Sequence, residues 1–275
     1  MTDDPRIHRL TALCKGALAA PPGRTRIALA LSAGAVCHLF FAAAIGSMAY
    51  SMFFGLTPGK GAVPYPWALL TNALLLLQFP LLHSLLLTAA GGRVLARLAP
   101  GPHGATLGTT SYATIASLQL LALFWLWSPS GIVWWRAEGP LLLGFATLYG
   151  LAYLLLVKAV FDAGVELQSG ALGWLSLLAA RTPRFPDMPT LGLFRRLRQP
   201  IYLAFALTLW TAPTWTPDQL ALAMSWTAYC LFAPRLKEQR SRRRYGERWN
   251  SYRRQVPYML PRPGKEFVDD GKPRA

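Results

Sequence analysis

Long apolar runs, separated by short segments that contain proline and polar residues, dominate this chain. Four of the runs reach the ~20 residues that an α-helix needs to cross a hydrocarbon core of ~30 Å. Two further runs are shorter and are predicted to fold back on each other as a helical hairpin. The six runs cover residues 27–54, 67–90, 111–135, 140–161, 200–212 and 217–233. The pattern predicts an all-α, polytopic membrane helix bundle of about six transmembrane segments.

Lysine and arginine are concentrated in alternate connections between these runs. Residues 1–26, 91–110, 162–199 and 234–275 contain 5, 2, 5 and 13 of them, whereas the three intervening connections contain two in total. Positively charged loops tend to stay in the cytoplasm, so the chain is predicted to be a multi-pass protein of the inner (plasma) membrane with both termini cytoplasmic.

This distribution also predicts how the chain is divided. A cytoplasmic segment at 1–26 precedes a membrane domain at 27–263, and a disordered tail is expected at 264–275. Pro234 is expected to end or kink the sixth run, and the basic stretch after it is predicted to be a cytoplasmic amphipathic helix that is interrupted near Gly246.

The formal net charge of +16 could indicate a nucleic-acid partner. The cations, however, lie at the predicted cytoplasmic ends of the spans, where orientation and anionic lipid head groups account for them, so membrane lipids are the expected partner and nucleic acid is not. The three cysteines and four histidines are scattered along the chain, which predicts neither a disulfide framework nor a metal site.

A few polar side chains fall inside the apolar runs, where each needs a partner. Lys158 and Asp162 are four residues apart and can pair on one helix face. His83 permits two interpretations: an interhelical hydrogen bond, or a proton acceptor close to a substrate. The other polar residues of this kind are Gln78, Ser84 and Gln119.

At the C-terminal hairpin, Arg198, Gln199 and Tyr202 stand at the entrance of the fifth run, and Glu238 stands just beyond the sixth. An antiparallel hairpin would bring them together. A carboxylate can accept from ribose hydroxyls or an ammonium, an arginine can hold a carboxylate, and aromatic rings can contact adenine. Such a group suits S-adenosylmethionine, but from the residues alone the commoner interpretation is that charged residues at a membrane edge are simply solvated.

The motifs in this region resemble those of a known superfamily. Residues 198–202, RQPIY, resemble the RHPxY motif of the isoprenylcysteine carboxyl methyltransferase and phospholipid methyltransferase superfamily, and the stretch at 237–261 resembles its EE-x(n)-FGxxYxxYxxxVP-xxxP ending. Within the superfamily the likeness is greatest to the methanethiol S-methyltransferases and the NnrU-like membrane proteins. Weaker likenesses occur in LLHSLL at 81–86, in the third run, and in FDAGVELQ at 161–168.

The resemblance implies an integral-membrane methyltransferase that uses S-adenosyl-L-methionine on a thiol, or a carboxylate, of a small or lipophilic substrate. It implies a cofactor-binding part at about 195–263. For the transfer itself, His83 is the candidate proton acceptor and Arg198 the second candidate catalytic residue, because a thiol must lose its proton and a nearby arginine lowers its pKa. The residues implied to bind the cofactor are Arg198, Gln199, Pro200, Tyr202, Glu238, Tyr245, Gly246 and Tyr252, with Pro257 also matching the second motif.

Two positions depart from the superfamily's pattern. Gln199 stands where the superfamily has histidine, and Lys237 replaces the first glutamate of the EE pair. Glutamine can hydrogen-bond but cannot serve as a base, and lysine reverses a charge next to a sulfonium. The alternative function is therefore a diverged, non-catalytic NnrU-like membrane protein that supports a redox or lipid system. A small transporter ranks third, because the chain has no inverted repeat.

Overall fold

The computed structural model describes residues 4–99, 101–262 and 266–267, and within these ranges the protein is an all-α bundle. Two residues from each of two loops at the same end of the bundle pair as a minimal antiparallel sheet, with Trp135 opposite Trp215 and Arg136 opposite Thr214. The predicted fold class is therefore confirmed. The predicted disordered tail lies outside the described residues except for Glu266 and Phe267.

The elements follow one another with short connections. They are α1 (Pro5–Leu18), α2 (Arg24–Phe53), α3 (Trp67–Leu86), α4 (Ala89–Leu98), α5 (Gly104–Leu126), β1 (Trp135–Arg136), α6 (Gly139–Asp162), α7 (Val165–Gln168), α8 (Ala171–Leu178), α9 (Pro200–Trp210), β2 (Thr214–Trp215), α10 (Pro217–Tyr245) and α11 (Glu247–Gln255), with 3-10 turns at Gly101–His103 and Gly192–Arg195.

Helices α2, α3, α5 and α6 are long and apolar enough to cross a bilayer. Their outward faces are apolar as well: on α3 and α6, leucines such as Leu69, Leu81, Leu143 and Leu154 are at least 60% exposed. A soluble domain would bury such a surface, so its exposure is explained by lipid as the surrounding solvent. The chain is a membrane protein.

The third span differs from the predicted one. It begins at Gly104 rather than 111 and ends at Leu126 rather than 135. Helices usually end before a residue that precedes proline, and here Pro129 follows Ser128. The apolar residues after it continue as extended chain, in which the Trp134 N–H donates to the Trp215 carbonyl at 3.0 Å.

The hairpin forms from helices of unequal length. Helix α9 has 11 residues and rises about 16 Å, whereas α10 has 29 residues and passes through Pro234 without ending. Of the two outcomes expected at Pro234, an end of the helix is wrong and a kink stays a prediction. A proline inside a helix is tolerated where the neighbouring segments satisfy the freed carbonyl. The interruption predicted near Gly246 is confirmed, because Gly246 adopts φ +53° and ψ −126° between α10 and α11.

The polar side chains inside the apolar runs find partners on a neighbouring helix or on their own helix. Gln78 and Gln119 exchange amide hydrogen bonds of 2.7–2.9 Å between α3 and α5. Lys158 donates to both oxygens of Asp162 at 2.5 Å, which confirms the predicted pair on α6.

The N-terminal helix α1 joins this second pair. The Arg6 guanidinium donates to Asp162, whose side chain is fully buried, and the Leu193 N–H donates to the same carboxylate at 2.8 Å. Arg9 pairs with the buried Glu166. Asp162 thus connects α1 and α6 to the 3-10 turn that leads into Arg198.

Replacing Asp162 with asparagine is expected to lower the free energy of unfolding by about 3 kcal/mol, because Arg6 loses a buried opposite charge. The measurement is thermal or denaturant unfolding in detergent. A matched control is Glu247→Gln, which breaks an ion pair with Arg254 whose side chains are 74% and 67% exposed and should cost about 0.5 kcal/mol or less. Equal shifts for the two variants would contradict a structural role for Asp162.

Candidate functional site

At the end of the bundle where α3 and α6 end and α9 begins, two side chains share one carboxylate. We call this end the basic end. Glu238, on the part of α10 beyond Pro234, accepts at Oε1 from Arg198 Nε at 2.8 Å and from Gln199 Nε2 at 3.0 Å. Both donors immediately precede α9, whose first residue, Pro200, has no N–H and suits the first turn of a helix. The hairpin therefore brings Arg198, Gln199 and Glu238 together.

Arg198 is also bonded to the end of α11. Its Nη1 donates to the Val256 carbonyl at 2.6 Å and to the Arg253 carbonyl at 3.0 Å, and its guanidinium lies 5.5 Å from the centre of the Tyr258 ring. The last carbonyls of a helix lack intrahelical partners and carry partial negative charge, which a guanidinium satisfies. Arg198 thus fastens the C-terminal segment to the hairpin.

Lys237 faces the same group of side chains from α10. Its ammonium lies 3.4 Å from Gln199 Oε1, 5.5 Å from the centre of the Phe194 ring and 5.9 Å from the centre of the Tyr202 ring. The Glu238 oxygen that could neutralise it already accepts from Arg198 and Gln199. Burial lowers the pKa of Lys237 to about 8, against the opposing effect of the Glu238 charge.

His83 lies deeper, near the end of α3. Its Nε2 is 2.7 Å from the Tyr112 hydroxyl on α5, and that hydroxyl is 3.4 Å from the His83 carbonyl. One arrangement satisfies both contacts: Nε2–H donates to the tyrosine oxygen, and the tyrosine hydroxyl donates to the carbonyl. Among the described residues Nδ1 is buried and has no hydrogen-bond partner. In this tautomer Nδ1 carries a free lone pair.

Aromatic side chains connect His83 with the shared carboxylate. The Phe79 ring is centred 4.8 Å from His83 and 5.3 Å from Trp226. Tyr229 is centred 6.5 Å from Tyr202, which in turn is near Lys237. Tyr112, which contacts His83, lies close enough to Tyr229 and Tyr202 to interact with them electrostatically, and we refer to these residues of α3, α5, α9 and α10 together as the aromatic path.

The remaining motif residues build a cap under the site. Tyr252 is buried, donates to the Phe194 carbonyl at 2.7 Å and packs against Trp249, with Tyr245 at the margin of the cluster. Burial raises the pKa of Tyr252, so its hydroxyl remains a neutral donor. Gly246 allows the chain to turn between α10 and α11, since few residues other than glycine adopt its positive φ. Among the predicted site residues, Tyr245, Gly246 and Tyr252 therefore support the site from a separate cluster.

A cationic recess of about 180 Å³ lies beside Arg198. Arg253, Arg254 and Arg262 line it together with Tyr258. Arginine side chains suit an anionic group such as a carboxylate, and at this opening Arg254 already pairs with Glu247 while the Arg253 carbonyl accepts from Arg198.

Sequence reasoning missed four residues of this region. Tyr112, Tyr229, Phe79 and Trp226 belong to apolar runs, where an aromatic residue is ordinarily part of the core. The hydroxyls of Tyr112 and Tyr229, buried in such runs, were the available signal, because a buried hydroxyl requires a partner.

Several known proteins are similar in sequence to this chain over a large part of its length. Methanethiol S-methyltransferase of Pseudomonas deceptionensis is 29% identical over 206 residues, which cover 74% of this chain and 76% of that protein. Methanethiol S-methyltransferase of Crocosphaera subtropica is 30% identical over 203 residues, covering 72% and 77%. Nurim of Xenopus laevis is 34% identical over 140 residues, covering 46% and 47%. No family model matches the chain, and no solved structure matches it.

Replacing Arg198 with alanine is expected to release residues 253–258, because the carbonyls of Arg253 and Val256 lose their donor. Hydrogen exchange followed by mass spectrometry should show exchange in this segment at least ~5-fold faster, as expected for a hydrogen-bonded contact worth about 1 kcal/mol or more. Arg196→Ala is the control, since Arg196 is 65% exposed and pairs with Glu266. Unchanged exchange in the Arg198 variant would show that the segment is held by other contacts.

Proposed function

Because this chain belongs to the methanethiol S-methyltransferase family, within the isoprenylcysteine methyltransferase-like superfamily, we propose that it is an integral-membrane enzyme that methylates the sulfur of a small thiol. The methyl donor we propose is S-adenosyl-L-methionine. The observation that carries the proposal is the carboxylate shared by Arg198 and Gln199, which lies at the end of an aromatic path leading to His83.

The residues present fit this donor. Glu238 uses one oxygen for Arg198 and Gln199 and retains lone pairs for ribose hydroxyls or an ammonium. The rings of Tyr202 and Phe194 can contact a sulfonium or adenine through their faces. The recess beside Arg198 suits the carboxylate of the donor's amino-acid group. The cofactor-binding part is accordingly proposed at about 195–263.

When bound, S-adenosylmethionine supplies an electrophilic methyl group on a sulfonium sulfur. The chain then has to align donor and acceptor, exclude water and remove the thiol proton, because the thiolate is the nucleophile. His83 Nδ1 can take that proton while Nε2–H remains bonded to the Tyr112 hydroxyl. Arg198 acts by holding Glu238 and the end of α11 in place, and its charge also favours a thiolate nearby.

An apolar thiol can enter the aromatic path from the bilayer, and the charged donor can enter from water at the basic end. We place that end in the cytoplasm and the protein in the inner (plasma) membrane, with membrane lipids as its surroundings. The support is the excess of lysine and arginine in the connections that the sequence predicts to be cytoplasmic, including 13 in residues 234–275.

The alternative is a non-catalytic NnrU-like protein, and it is less favoured. The two methyltransferases compared above are matched over about three quarters of their length, and Glu238, at the second position of the superfamily's acidic pair, is held by Arg198 and Gln199. The charge of Lys237, which stands where the superfamily has a glutamate, opposes a sulfonium.

The direct test uses purified protein in lipid nanodiscs with methyl-labelled S-adenosylmethionine and methanethiol, and measures labelled dimethyl sulfide in the headspace. His83→Ala is expected to lower kcat by at least ~100-fold with little change in donor affinity, since general-base catalysis typically contributes that much. Glu238→Ala is expected to weaken donor binding.

His103→Ala is the matched control, because His103 lies in the 3-10 turn before α5 and outside the aromatic path. If millimolar donor gives neither a calorimetric nor a thermal-shift response, the enzyme assignment fails and the non-catalytic alternative takes its place. Normal turnover by His83→Ala would remove His83 from the mechanism and leave the donor site standing.

A further inference from the structure

We propose that Lys237 loses its proton when the cationic methyl donor binds. Donor binding therefore releases one proton, whereas the demethylated product binds while Lys237 keeps its proton. The inference rests on the proposed function and identifies Lys237 as the residue that sets the preference between donor and product.

The first step is the position of Lys237. Its ammonium contacts Gln199 Oε1 and the faces of Phe194 and Tyr202. Those same two rings are the surfaces proposed for the sulfonium. A bound donor would therefore place a second positive charge within about 6 Å of this ammonium, in a site walled by aromatic rings.

The second step is the electrostatic surroundings. The carboxylate of Glu238 accepts from Arg198 and Gln199, so it is shared rather than devoted to Lys237. Arg240, one turn further along α10, adds a like charge. The charged and titratable groups near this region are Glu238, Arg235, Arg240, Tyr229 and Cys230 on α10, Arg198 and Tyr202 at α9, His83 on α3, Tyr112 on α5, and Tyr252 and Tyr258 at and beyond α11.

The third step is the ease of losing the proton. An ordinary lysine would keep its charge at neutral pH, but burial lowers the pKa of Lys237 to about 8. Two like unit charges ~6 Å apart at an effective dielectric of ~20 repel by an amount equivalent to about a hundredfold in a binding constant. A bound sulfonium would therefore lower the pKa of Lys237 by about two further units. The amine would be mostly neutral in the complex at pH 7.

The sign of the pH dependence follows. The donor prefers the neutral amine, so donor affinity rises with pH up to the pKa of free Lys237 and levels off above it. The product has a neutral sulfide and leaves Lys237 protonated, so its affinity carries no such dependence. Donor and product share the same nucleoside and amino-acid groups, so the ratio of their affinities isolates the sulfonium charge.

The experiment is isothermal titration calorimetry of the protein in nanodiscs, with S-adenosylmethionine and S-adenosylhomocysteine, between pH 6 and pH 9. Repeating it at pH 7 in two buffers of different ionisation enthalpy counts the protons. We expect the donor-to-product affinity ratio to fall about 50-fold from pH 9 to pH 6, and close to one proton to be released with the donor at pH 7 beyond that released with the product.

Two variants sharpen the result. Lys237→Met should make the ratio independent of pH by removing the titrating group. Lys237→Arg should also remove the pH dependence, but should keep the donor about 100-fold weaker relative to the product than in the methionine variant, because arginine does not lose its proton in proteins. Circular dichroism and thermal melts establish that each variant is folded.

The wild-type comparison is decisive even where a variant fails to fold. If both ligands bind and their affinity ratio is constant across this pH range, the proposal for Lys237 is overturned while the proposed function stands. If neither ligand binds, the proposed function itself fails.

Discussion

The carboxylate of Glu238 is the contact on which the basic end of the bundle depends. It is only 13% exposed, and the guanidinium of Arg198 and the ammonium of Lys237 both interact with it. Without it these cations would repel each other in a partly buried space. The start of α9 and the end of α10 would also lose the hydrogen bonds that Glu238 accepts from Arg198 and Gln199. Through Arg198 the same carboxylate also positions the end of α11, so the hairpin and the C-terminal cap are held by one network.

The length of α9 determines where this network lies. The helix rises about 16 Å, roughly half the thickness of a hydrocarbon core, while its far end is held near the outer loops. There the Gln219 side chain donates to the Leu209 carbonyl at 2.8 Å, and Thr216 donates to the Gly55 carbonyl at 2.6 Å. The entrance to α9 is consequently recessed from the basic surface. A recessed polar group enclosed by helices can meet an apolar substrate without being exposed to lipid.

Hydrophobic periodicity and the distribution of charge were sufficient to predict the bundle and the hairpin. Long apolar runs joined by alternating basic connections can fold in few ways in a membrane. They were insufficient where an apolar residue does not continue a helix. Residues 132–135 are as apolar as a span, yet they form extended chain after Pro129. The amphipathic helix α4 was not anticipated either, since its ten residues are too short to stand out beside the spans. Pairwise contacts such as His83 with Tyr112 depend on the register between two helices, which no single run specifies.

The lysine at position 237 changes how the site must be understood. Its charge would be a defect if it were fixed, because a sulfonium requires either a negative or a neutral neighbour. Burial and the like charge of Arg240, which make the ammonium unfavourable, also make its proton easy to lose. A lysine here is thus compatible with a cationic ligand in a way that an arginine would not be. The departure from the superfamily's acidic pair therefore points to donor affinity that depends on pH as readily as to a lost activity.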